Sequence, residues 1–296
     1  MSKESEHDNN FSIEIDELED ARRMDINNDK ESGNFLPYQA QLENVLNIKV
    51  KKTGLYYGLN TKVPTYNTQS PNNRGMLLLI NNINFKMGGK AENEDNVDHE
   101  NIKELFTQLG FIVVEAINKT KSEMEEIVVS LTTNRDLEKY DMCATIVMSH
   151  GETKDGQTMI ETIDGENLST KWIVEQFYED KCEGMIDKPK IFIFRCCRKS
   201  FTDGIHSDAY LFKRKIKDIL ICYCTIADCS SCRVITSSSW YINDLCQVFM
   251  ENAHDTDIES LLKMVDQKLS VRNDGNYWET SCFRSIGFKV CYLNPC

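Results

Sequence analysis

The stretch Lys190-Ile191-Phe192-Ile193-Phe194-Arg195-Cys196-Cys197-Arg198-Lys199 joins an unbroken apolar run to two adjacent thiols set between two arginines. An apolar run without polar alternation reads as a strand buried on both faces, the pattern of a parallel sheet. A cysteine is nucleophilic only as its thiolate, and neighbouring cations favour that form, so Cys196 and Cys197 are both candidate reactive residues. Upstream, Asp141-Met142-Cys143-Ala144-Thr145-Ile146-Val147-Met148-Ser149-His150-Gly151 is a second apolar run, ending in a histidine 47 residues before Cys197. An imidazole is the partner such a thiolate needs.

Outward from these two runs, short apolar segments alternate with helical periods. Residues 76–81, 111–114, 144–148, 191–194 and 219–225 read as strands. Residues 98–109, with Asp98 as N-cap, 122–134, 170–177, 240–253 and 257–270 read as helices, and 287–293 is a final apolar run. Strands alternating with crossover helices predict an α/β fold with a mostly parallel sheet covered on both faces. Chemistry in such sheets gathers beyond the carboxyl ends of the strands, where His150 and Cys197 both fall.

The formal charge of −13 argues against general affinity for nucleic acid or for anionic membranes. No segment has the apolar core of a signal peptide or the length of a membrane span, which predicts a cytoplasmic location. The twelve cysteines are then expected as free thiols, many of them acting as small hydrophobes. Residues 1–55 are acidic and polar and read as a flexible leader. Cys229-Ser230-Ser231-Cys232, with Cys222 and Cys224 just before it, keeps open a zinc or redox reading, although no second C-x-x-C supports it. No metal or cofactor is expected.

Together these residues resemble the caspases, whose signature is Gln-Ala-Cys-(Arg/Gln/Gly)-Gly with a histidine about 50 residues upstream. The likeness runs from about residue 64 to the C-terminus. It includes Arg74-Gly75 before Leu77-Leu78-Leu79-Ile80-Asn81-Asn82, Val97-Asp98, Ser149-His150-Gly151, Lys188-Pro189-Lys190 and Ser239-Trp240-Tyr241-Ile242. The resemblance implies a three-layer caspase-type α/β fold and the short leader of effector-type members. It also implies a large-subunit region over 64–198, a linker over 199–217 cut after Asp208 or Asp203, and a small-subunit region over 218–296. Cys197 aligns with the family nucleophile and His150 with its acid, while the N–H groups of Gly151 and Cys197 align with its oxyanion hole.

The departures concern the substrate pocket. Where the family has Gln-Ala-Cys-Arg-Gly, this chain reads Arg195-Cys196-Cys197-Arg198-Lys199. Caspases hold a substrate aspartate with two arginines and that glutamine. Here Arg233, in Ser231-Cys232-Arg233, matches one arginine, Arg195 replaces the glutamine, and the other arginine position falls near Glu92. An internal Glu92–Arg195 pair is expected to fill the pocket. The resemblance therefore implies a homologue with its catalytic pair in place and its pocket degraded, regulating an active caspase by pairing with it through the last strand, or pairing with a second copy. A working cysteine endopeptidase of altered specificity, acting on a peptide substrate, is the alternative.

Overall fold

Leu77, Leu78, Leu79 and Ile80 are all fully buried, so the strand β1 (Gly75–Asn81) is covered on both faces. Its odd-numbered leucines join one apolar cluster and its even-numbered neighbours the other, as the two-residue period of a strand requires. The first cluster lies under the helices Glu94–Gln108, Trp240–Asn252 and Ile258–Ser270. The second lies under Lys121–Thr133 and Thr170–Glu175. The result is three layers around one sheet.

The computed structural model describes residues 46–58, 62–85, 94–198, 216–226, 239–272 and 279–296, all within the compact unit Leu36–Cys296. The sheet contains β1, β2 (Phe111–Ile117), β3 (Met142–Met148), β7 (Lys190–Arg195), β8 (Ile219–Tyr223) and β9 (Cys282–Ile286). Their order is β2-β1-β3-β7-β8-β9, and only β9 runs antiparallel to its neighbour. The expected α/β architecture is present. Among the described residues no helix is long and apolar enough to cross a membrane.

Three expectations need correction, and one element was not anticipated. The helix Glu94–Gln108 starts before Asp98, which is therefore not its N-cap but a buried residue inside it. Residues 287–293 form no edge strand: Val290 bridges Thr65, Tyr292 bridges Asp257, and Cys291 and Leu293 are buried. Among the described residues the sheet ends in β2 on one side and β9 on the other. Within the span expected as leader, Ile48 and Val50 are buried and the backbone N–H of Val50 donates to Gln108 Oε1 at 2.9 Å, so this part packs on the domain. Finally, a small antiparallel sheet of β4 (Gly151–Lys154), β5 (Gln157–Glu161) and β6 (Asn167–Ser169) follows His150. Asp155 and Gly156 close its first hairpin with φ of 51° and 71°, the two positive values of a two-residue type I′ turn.

On β2, Glu115 accepts from His99 Nε2 at 2.7 Å and pairs with Lys103 Nζ at 2.8 Å. The His99 hydrogen bond in particular holds its carboxyl down at about 2. That stabilisation is present above the unfolded carboxyl value of about 4.3 and is lost as pH falls through about 2. Glu115→Gln is expected to cost about 1–3 kcal/mol at neutral pH. Urea unfolding should show the gap from wild type closing between about pH 4.5 and 2; a gap independent of pH would refute the assignment.

Candidate active site

β3 and β7 are parallel neighbours, with Met148 opposite Arg195 at their carboxyl ends. The pairing continues one step further, since Ser149 N donates to Arg195 O at 3.1 Å. His150 and Cys197 therefore leave adjacent strands at the same end of the sheet. Ser149 Oγ donates to Glu161 O at 2.7 Å and Glu161 N donates to His150 O at 3.0 Å, so the histidine turn is fastened to the hairpin beyond it. The Phe85 ring lies 4.7 Å from the imidazole, tilted by 39°.

The two thiols differ. Cys196 is 2% exposed, and burial pushes its thiol up to about 12 despite the opposing pull of Arg198 and Arg195. Cys197 is half-buried. A strand end alternates its side chains, so only one of two successive cysteines can face the cleft. Gly151 lies close to both: a Cβ there would stand 2.9 Å from Cys196 Cβ, 2.9 Å from Cys197 O and 2.8 Å from Met159 O. Gly151, Cys196 and Cys197 thus share one tightly packed corner beside His150.

Arg198 is fixed by partners on several strands. Its Nε donates to Thr158 Oγ1 at 3.0 Å and its Nη1 to Thr225 O at 3.3 Å. The guanidinium also lies 4.1 Å from the Tyr223 ring centroid and 3.4 Å from Cys282 Sγ. Its backbone O accepts from Thr153 Oγ1 at 2.8 Å. These contacts pin the segment just after Cys197 to the β4–β5 hairpin and to the far strands.

Arg195 is only 2% exposed, with Nη2 3.8 Å from Asp98 Oδ2. The carboxylate seen against it is Asp98, whereas Glu92 lies outside the described residues, as do Arg233, Ser231, Asp203, Asp208 and the Cys229/Cys232 pair. Cys222 and Cys224 share one face and are buried in the core. Among the described residues, the one acidic group close enough to share an ion is Glu179, Asp187 and Asp218, and Lys217 Nζ contacts all three.

Sequence reasoning missed Phe85, Thr158, Tyr223 and Asp98 as parts of this neighbourhood. The signal for Asp98 was available, since it shares the helical stripe of Ile102 and Leu105, both fully buried. An acid in such a stripe calls for a buried partner.

Fold and site together define a caspase-type α/β protein. A model of the caspase domain matches residues 74–291, and the chain belongs to the caspase family. Caspase Dronc of Drosophila melanogaster is 25% identical over 278 residues, which cover 83% of this chain and 62% of that protein. Caspase-3 of Bos taurus is 29% identical over 207 residues, 67% of this chain and 73% of that protein. The crystal structure of the Drosophila initiator caspase Dronc matches with a TM-score of 0.70 at 25% identity, over 85% of this chain and 95% of that one. The chain spans about three-fifths of the length of Caspase Dronc.

Proposed function

We propose that the chain is a caspase homologue of cell-death signalling in the cytoplasm, with a Cys197–His150 pair in place and an impaired aspartate pocket, and that it regulates an active caspase. In this reading Cys197 thiolate attacks a carbonyl carbon, His150 protonates the leaving amine, and the N–H groups of Gly151 and Cys197 receive the oxyanion. The observation that carries the impaired pocket is Arg195, which replaces the family's glutamine and is buried against Asp98. A guanidinium committed to that carboxylate does not supply the amide donor that the glutamine offers to a substrate aspartate. The position of a second family arginine falls near Glu92 in the sequence, and a carboxylate there would add a repelling charge.

Pairing with an active caspase, or with a second copy, uses β9, the last strand of the sheet among the described residues, since a free strand edge invites another chain. The linker containing Asp203 and Asp208 is then a substrate for the active partner. Mixing the purified chain with an active short-leader caspase tests this role. A faster-sedimenting species and a changed turnover by the partner at equimolar ratio are expected; unchanged sedimentation and turnover would refute regulation by pairing. The reading as a working endopeptidase of altered specificity is favoured by one observation, the half-buried Cys197 beside Gly151.

A further inference from the structure

β1 and β2 end side by side, and the turns that leave them are tied together by two asparagines. Asn118, just past β2, has φ of 52°, a left-handed conformation that asparagine tolerates better than most residues. Its Oδ1 accepts from both Ile83 N and Asn84 N at 2.9 Å, and its own N donates to Asn81 O at 2.9 Å. Asn82, just past β1, answers it: its Oδ1 accepts from Lys119 N at 2.9 Å, and its N donates to Met148 O, at the end of β3, at 3.0 Å. Asn82 Nδ2 also donates to Glu161 O at 3.4 Å, the same carbonyl that accepts from Ser149 Oγ. The segment leaving β1 is thus bound on one side to β2 and on the other to the turn that carries His150.

Phe85 follows directly on the two N–H groups held by Asn118, and its ring lies 4.7 Å from the imidazole of His150. The bond from Glu161 N to His150 O fastens the histidine main chain but leaves its side chain a choice of rotamers. A ring packed against the imidazole narrows that choice, because a tilted aromatic pair is a favourable one. Phe85 itself is half-buried and belongs to neither apolar cluster of the core, so its packing is spent on the histidine turn.

We propose that Phe85 is a positioning residue that holds the imidazole of His150, and that Asn118 is the latch that keeps Phe85 against it. The inference rests on the reading of His150 as the acid that protonates the leaving amine. Such a transfer needs the donor within hydrogen-bond reach of the departing nitrogen. An imidazole that visits other rotamers serves the step only for the fraction of time spent in the right one.

The full chain carrying isotope-labelled histidine tests this without a substrate, since three-bond couplings from Cγ to the backbone N and carbonyl C report the χ1 rotamer. Wild type is expected to show one dominant rotamer at His150. Phe85→Ala should raise the other rotamers relative to it by about twofold to tenfold, the strength of one aromatic pair. Phe85→Leu, which keeps bulk without the ring, should move the couplings in the same direction and stands in if the alanine variant fails to fold. Asn118→Gly keeps the left-handed backbone and loses the carboxamide, so it should release His150 through Phe85. Asn118→Asp, which keeps an acceptor oxygen, should stay at wild type. Phe85→Ala and Asn118→Gly together should go no further than Phe85→Ala alone. His99 and His254, on and after other helices, should keep their couplings throughout.

Wild-type couplings at His150 in both Phe85 variants, with only the melting temperature lowered, would show a merely structural role and overturn the inference. Additive effects in the double variant would also overturn it, because Asn118 would then not act through Phe85. The reading beneath it is tested apart, by iodoacetamide alkylation of the full chain with fragment mapping. His150→Ala should slow alkylation of Cys197; an unchanged rate would remove the catalytic pair, and with it the role of Phe85 in the reaction, whatever the couplings show.

Discussion

Gly151→Ala is expected to lower stability by about 1–3 kcal/mol, as insertion into a packed site does, and to slow alkylation of Cys197 on the order of a hundredfold. The argument is one of space. The added methyl would stand 2.8 Å from Met159 O and 2.9 Å from Cys197 O, and both are backbone atoms that cannot rotate aside. It would also meet Cys196 Cβ at 2.9 Å. The only relief is to part β4 from β5, or to push the Cys196–Cys197 segment away from the histidine turn. Misplacement by about 1 Å is enough for a hundredfold loss where a neighbouring base assists the nucleophile. Urea unfolding and mapped alkylation check the two parts separately. An unchanged midpoint with an unchanged rate would show that the corner is looser than its distances imply.

What the sequence made legible follows from burial on both faces. β1, β3 and β7 lie in the middle of a parallel sheet, so they are buried along their whole length and their apolar runs read without ambiguity. Because both carboxyl ends are fixed by those runs, the departure of His150 and Cys197 from adjacent strands at the same end of the sheet could be read as well. The half-exposed parts were illegible. β5 alternates buried and partly exposed residues over five positions, and β9, Cys282–Ile286, has exposed Arg284 and Ser285 at its centre. Such strands take their place from a neighbour and a turn more than from hydrophobicity. Asp155-Gly156 was the available turn signal for the first hairpin.

Asp98 shows the converse error. An acidic residue ahead of an apolar period is the usual sign of an N-cap, yet here the helix begins earlier and the carboxylate turns inward to Ser239 and Arg195. No local rule reports a partner that lies 97 residues further along the chain. The expectation that Arg195 pairs internally was sound in its chemistry, because a long buried cation must find an anion or neutralise. The structure places Asp98 against it, while Glu92, the anion anticipated, lies outside the described residues.

The largest expected effect concerns turnover. On the proposed reading, in which the pocket lacks one donor and faces an added carboxylate, a substrate aspartate loses about 3–5 kcal/mol of transition-state binding. At ~1.4 kcal/mol per decade this is roughly a hundredfold to several-thousandfold. The proposed reading keeps the Cys197–His150 pair and impairs only the pocket, so reactivity of the thiol and cleavage after aspartate should separate. The most direct measurement is kcat/KM of the purified full chain on an aspartyl tetrapeptide, set against an active caspase assayed alongside and normalised to the fraction of Cys197 that alkylates. The account predicts near-stoichiometric alkylation of Cys197 together with a kcat/KM at least about a hundredfold below that of the active enzyme. A comparable kcat/KM, abolished by Cys197→Ala, would contradict the impaired pocket and establish a working aspartate-specific peptidase.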